Sequence, residues 1–181
     1  SWNKYRSDKK AKALEAKRQI KIIGAKAAVI NETAALCQGV TLTRDLVNEN
    51  AGIATSVYLE KQIRSLVRGA GRTDIKVIDE KQMKKLGMNL FLAVNRGSEN
   101  PPRLVIVRYK GATSANEKYT AMVGKGLTFD AGGLNLKATG HIEDMKLDMA
   151  GTGALMGVLK NVLHFKPKKN LLFAFCLAEN A

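Results

Sequence analysis

The sequence predicts an α/β fold: a mixed β-sheet flanked by helices. Three observations point to it. Segments of helical and strand period follow one another in the order ααβαβββαβ, the pattern of a sheet covered by helices. Leu171 to Leu177 is a continuous apolar run, expected of a strand buried on both faces. Glycine or proline stands where one period gives way to the next, at Gly69, Gly87 and Pro167.

Asp8 to Ile22 is rich in Lys, Ala, Glu and Arg and reads as an exposed helix or connecting arm, with too little apolar surface to fold alone. Ala27 to Val47 places Val29, Ile30, Cys37, Val40 and Leu46 at helical spacing, although Gly39 inside it lowers the propensity. A second helix starts at Thr55-Ser56, puts Leu59, Ile63, Leu66 and Val67 on one face and stops at Gly69. Asp74 to Ile78 alternates as a strand does. Asp79 and Gln82 have capping-box spacing, and the short helix they begin is expected to bury Met83 and Leu86. Asn89 to Val94 reads as a strand, and the two prolines after it mark a loop from Arg96 to Pro102.

Leu104 to Tyr109 is a strong strand. Tyr119 to Val123 is expected to pair with it through a hairpin loop over Gly111 to Asn116. Met145 to Leu163 reads as a helix with Leu155, Val158, Leu159 and Val162 facing a core, ended by Lys166-Pro167. The chain organises as a basic arm or linker over 1–26, standing where a further N-terminal domain would attach, and an α/β domain over 27–181. A central strand with no covering helix after it suggests the first part of a larger domain.

The 181 residues are 45% hydrophobic and 25% charged, an ordinary globular composition. No apolar run reaches the roughly 18–20 residues that span a bilayer, and the N-terminus has no signal-peptide core. The chain is therefore expected to be cytoplasmic, with Cys37 and Cys176 as reduced core thiols. The net charge is +14, and half of that excess lies before residue 27. Such a balance suits an anionic partner, but no aromatic residues are interleaved to stack bases, so nucleic acid is not the favoured partner.

The chemistry concentrates between Met122 and Ala154. Gly124-Lys-Gly126 is not a Walker loop, because Tyr119 stands at its first glycine position and Gly126 follows the lysine. Gly151-Thr-Gly153 lacks the preceding strand of a dinucleotide fingerprint. His141 and His164 are isolated, no Cys-x-x-Cys exists, and no Gly-x-Ser-x-Gly elbow is present. Lys125, Asp130, Lys137 and Asp148 remain. They can form two salt bridges beside a turn. They can also form an oxygen-rich site in which two carboxylates and a lysine amine hold divalent ions about 3.5–4 Å apart, while a second, charged lysine polarises a carbonyl.

Val123-Gly-Lys-Gly-Leu-Thr-Phe-Asp-Ala-Gly-Gly133, Leu136-Lys137 and Asp144-Met-Lys-Leu-Asp-Met149 closely resemble the core motif of the leucyl aminopeptidase (cytosol aminopeptidase) family. Leu46-Val-Asn48, Met83 to Met88, Pro101 to Leu104 and Tyr109-Lys-Gly111 follow in the same order. The resemblance implies a two-metal exopeptidase, with Zn2+ and/or Mn2+, that releases N-terminal residues such as leucine from peptides, usually as a homohexamer. It implies metal ligation by Lys125, Asp130 and Asp148, and catalysis by Lys137 as the electrophile stabilising the tetrahedral intermediate. The family's later Asn-Thr-Asp-Ala-Glu-Gly-Arg segment, with its further ligands and arginine, is absent from this sequence. The implied domain is thus incomplete and this chain alone is expected to be inactive. The alternative is a truncated, inactive aminopeptidase-like scaffold in a larger, RNA-containing assembly.

Overall fold

The computed structural model describes residues 21–114 and 116–181. Most of the arm expected over 1–26, with the helix expected from Asp8, therefore lies outside the described residues. The elements are α1 (Ala27–Val47), α2 (Ser56–Val67), β1 (Thr73–Ile78), α3 (Glu80–Lys85), α4 (Asn89–Val94), β2 (Arg103–Lys110), β3 (Thr120–Asp130), a 3-10 turn (Glu143–Leu147), α5 (Ala150–Phe165) and β4 (Asn170–Asn180). Among the described residues no helix is long and apolar enough to cross a membrane.

The sheet order is β1-β2-β4-β3. β2 is antiparallel to both β1 and β4, and β3 runs parallel to β4, so the sheet is mixed as expected. In this register Val105 faces Phe175 and Val107 faces Phe173. These residues, with Tyr109 and Leu177, make one dry face. Leu59, Ile63 and Val67 of α2 and Leu155, Met156 and Leu159 of α5 pack over it. Each fully buried side chain of this size contributes about 1.5–3 kcal/mol relative to an exposed one. Alternate residues of β4, such as Ala174 and Cys176, are only half-buried, so the strand is dry on one face rather than both.

Local chemistry accounts for the elements read correctly. Thr55 Oγ1 accepts from Tyr58 N to cap α2. Asp79 and Gln82 complete a reciprocal capping box at the start of α3. Met83 is fully buried there, but Leu86 is 62% exposed, contrary to expectation, because it lies past the last helical turn.

Four further expectations are corrected. Asn89 to Val94 forms a helix, not a strand; five apolar residues after Asn89 carry no decisive period. β3 does not pair with β2, because β4 lies between them. The segment after Gly111 is accordingly no hairpin loop. It crosses the start of β4, where Asn170 accepts from Ala112 N through Oδ1 and donates to the Glu117 carbonyl through Nδ2. The helix expected from Met145 divides into the 3-10 turn and α5, and Val158 is 41% exposed.

The face of α1 is the fourth correction. Val29, Val40 and Cys37 are exposed, so Cys37 is not a core thiol. The packed face carries Ala35, Gly39, Thr43 and Leu46, because α1 lies close against α5. A Cβ on Gly157 of α5 would collide with Thr43 Oγ1 and lie 2.7 Å from the Gly39 carbonyl. Thr43 Oγ1 donates to the Gly153 carbonyl at 3.0 Å across the same contact.

This contact reverses a usual sign. Replacing a helical glycine by alanine normally gains roughly 1 kcal/mol. Gly157→Ala is expected instead to destabilise by about 1–3 kcal/mol through overpacking, seen as a lower urea midpoint with unchanged slope.

Candidate active site

The site begins with the way α5 seats on β3. Gly124 and Gly126 occupy the buried side of β3, flanking Lys125. A Cβ at Gly124 would lie 3.0 Å from Thr152 Cα, and one at Gly126 would lie 2.7 Å from Thr152 Oγ1. Thr152 Oγ1 donates to the Gly124 carbonyl at 3.2 Å. The glycines therefore admit the first turn of the helix. Asp148, just before α5, comes within reach of Lys125: Nζ and Oδ2 are 3.0 Å apart.

Asp130 closes β3, opposite Asn180 at the end of the parallel β4. The chain then turns through Gly132 and Gly133, whose φ values of +97° and +67° belong to the left-handed region. Gly132 N donates to Asp130 Oδ1 at 3.0 Å. Lys137 N donates to the Ala131 carbonyl at 2.9 Å, folding the loop back on itself. That fold brings Lys137 Nζ to 2.6 Å from Asp130 Oδ2 and 3.0 Å from Met145 Sδ. The four residues named from the sequence thus form two lysine–aspartate pairs around the end of β3 and the start of α5. Both carboxylates are largely shielded, with Asp148 19% and Asp130 14% exposed.

Burial acts most strongly on Asp130 and would raise its pKa. Hydrogen bonds from Lys137, Asn180 and Gly132, with the lysine's charge, together outweigh it and hold the carboxyl below its ordinary value.

Sequence reasoning missed Asn180, whose Nδ2 donates to Asp130 Oδ1 at 2.7 Å. It also missed Glu179, which accepts from Ser98 Oγ at 2.8 Å and Asn100 Nδ2 at 2.9 Å and so ties the 95–102 loop to this end of β4. Only the parallel register places Asn180 beside Asp130, and no local pattern announces that register. Met145 was in the quoted motif, but nothing in its residue type marked it as a neighbour of Lys137.

Hard carboxylate oxygens beside amine donors suit a divalent ion, and each lysine lies where such an ion would meet its carboxylate. Among the described residues no group of three His, Cys, Asp or Glu side chains gathers. The donors here fit part of a coordination shell.

Polar and charged groups collected at the carboxyl ends of parallel strands define an α/β domain with its reactive cluster where open sheets hold ligands. Comparison narrows that class. Residues 41–181 match the profile of the cytosol aminopeptidase family, catalytic domain. The chain is 43% identical over 154 residues to a probable cytosol aminopeptidase of Protochlamydia amoebophila, covering 85% of this chain and 31% of that protein. Among solved structures it superposes on the bottromycin maturation enzyme BotP in complex with Mn with a TM-score of 0.81 at 32% identity, covering 99% of this chain and 37% of that one. It superposes on the leucyl aminopeptidase of Leishmania major in complex with actinonin with a TM-score of 0.76 at 31% identity, covering 83% of this chain and 30% of that one. This chain belongs to the cytosol aminopeptidase family. It spans about a third of the length of these relatives.

The lowered Asp130 pKa fixes the sign of an acid effect. The folded value lies below the unfolded one, so the stabilisation is complete above the unfolded pKa of about 3.9 and is lost as pH falls through the folded pKa. With chelator present, the urea midpoint of Asp130→Asn should approach that of the wild type as pH drops through this window.

Thiol labelling checks the burial. Cys37 is exposed, whereas burial pushes the Cys176 thiol up, beside an apolar cavity lined by Phe91 and Val94. Iodoacetamide at pH 8 should label Cys37 first.

Proposed function

We propose that Lys125, Asp130 and Asp148 are ligands for a pair of divalent ions, Zn2+ and/or Mn2+, in a leucyl-type metallo-aminopeptidase that releases N-terminal amino acids from peptides. The observation that carries this reading is the pairing of each lysine with one aspartate, Lys125 with Asp148 and Lys137 with Asp130, at the seam between β3 and α5. Such ions supply an activated water and a polarised scissile carbonyl.

The chain's own residues divide the remaining work. Asp130 offers two oxygens with different partners: Oδ1 is fixed by Asn180 and Gly132, and Oδ2 faces Lys137. Lys137 carries the charge that would stabilise an oxyanion as it develops. Lys125 must release its proton before its amine can ligate, and a neighbouring dication favours that release. Asp148 holds Lys125 beside the helix start in the meantime. This chain supplies part of the site. The rest, and the homohexamer and cytoplasmic setting of such enzymes, belong to the same proposal. The match to relatives named as aminopeptidases favours this reading over a scaffold with no activity.

Two measurements test it. In titration calorimetry, Asp130→Asn and Asp148→Asn should each weaken Mn2+ binding by roughly tenfold or more. Leucyl-p-nitroanilide with Zn2+ or Mn2+ should show no turnover by the 181-residue chain. Clear turnover that disappears in Lys137→Ala would overturn the partial-site reading. Equal Mn2+ binding by wild type and both variants would overturn the ligand assignment.

A further inference from the structure

The opposite end of the sheet holds a second polar feature that the aminopeptidase reading does not use. A cavity of about 380 Å3 opens there between the turn before β1 and the end of α5. Gly69, Ala70, Gly71 and Arg72 form one wall, Leu163 and Lys166 the other, and Tyr109 the floor.

Arg72 and Lys166 are the two non-glycine residues with positive φ among the described residues, at +63° and +50°. Glycine would adopt either conformation at lower cost. Lys166 is doubly disfavoured, because it precedes Pro167, which biases the residue before it towards extended backbone. Two strained positions on the rim of one cavity thus both carry cations. Neither cation has an ion pair or side-chain hydrogen bond among the described residues. Asp74, at this end of β1, is already engaged by Arg108 at 3.0 Å and Lys110 at 3.6 Å.

The rim is also held in place. Lys110 N donates to the Arg72 carbonyl at 2.7 Å, and Thr73 Oγ1 donates to the Ala70 carbonyl at 2.7 Å. On the other side, Tyr109 Oη donates to the Pro167 carbonyl at 3.2 Å. Two consecutive residues of β2 therefore anchor the two turns that carry Arg72 and Lys166. Lys166 takes its left-handed conformation as the C-cap of α5, its N donating to the Val162 carbonyl at 2.9 Å, which fixes its place on the rim. Two cations with no partner among the described residues, on fixed backbone beside Tyr109 and Leu163, suit a small dianion better than an extended polymer.

We propose that this cavity binds a phosphoryl group, free or as a small phosphate ester, between Arg72 and Lys166. The site is independent of Asp130 and its partners, which lie at the far ends of β3 and β4.

The probes are inorganic phosphate, pyrophosphate and a short oligothymidylate, titrated calorimetrically into the protein at constant ionic strength. Pyrophosphate should saturate one site. Arg72→Gly and Lys166→Gly should each weaken it by roughly tenfold or more, while their urea midpoints stay equal to the wild type or rise. That opposite movement of binding and stability is not expected of residues with a purely structural role. Lys76→Gln, at an exposed lysine of β1 outside the cavity, should leave binding unchanged. No saturable binding of phosphate or pyrophosphate would overturn the proposal. So would equal weakening by Lys76→Gln, or binding of the oligonucleotide alone, since either points to a diffuse basic surface.

Discussion

The contact between the first turn of α5 and the buried side of β3 is the constraint on which the site depends. It requires residues without side chains at Gly124 and Gly126, and Thr152 locks it by donating into the strand. Lys125 stands between those glycines, so a pattern that resembles phosphate binding in sequence serves helix-to-strand packing in space. The same close approach carries Asp148 to Lys125. A second close approach, of α1 on α5 through Gly39, Thr43 and Gly157, buttresses the helix from behind. The reactive cluster is held from one side of the sheet by a stack of small residues.

Much of the fold was legible because its signals are local. The caps at Thr55 and Asp79, the strand from Leu104 and the breaks at Gly69 and Gly87 each depend on a few neighbouring residues. Non-local facts were not legible. Nothing near Tyr119 reveals that β4 will separate β3 from β2. Nothing near Val40 reveals that α1 will turn its small residues inward and leave Val29 and Val40 outside. The apolar run Asn89 to Val94 was too short for its period to decide between helix and strand. The four site residues were legible as a cluster because glycines and ionisable residues seldom alternate on a solvated face. Their assignment to metal and substrate rested on the resemblance, while their pairing and the part of Asn180 came from the sheet register.

The two ends of the sheet use charge differently. At the carboxyl ends of β3 and β4, each lysine has a carboxylate, so the cluster is nearly neutral within itself. At the other end, Arg72 and Lys166 have no such partner among the described residues. Paired charges in a shielded place favour exchange of one cation for another. Unpaired charges at a rim favour recruitment of an anion.

The position of β4 has a consequence for how the molecule is made. It is the last strand among the described residues, yet it is an inner strand of their sheet and pairs with both β2 and β3. Neither neighbour can complete its ladder while β4 is still being synthesised. Until then only the β1–β2 hydrogen bonds are available to the sheet. The dry face built from Phe173, Phe175 and Leu177 does not yet exist. Its pairings join residues far apart in sequence, which slows folding and prolongs exposure of apolar strand edges. A ribosome that pauses before Asn170 would therefore hold a nascent chain with its sheet open and no dry face for its helices to cover, the state in which a chaperone has most to protect.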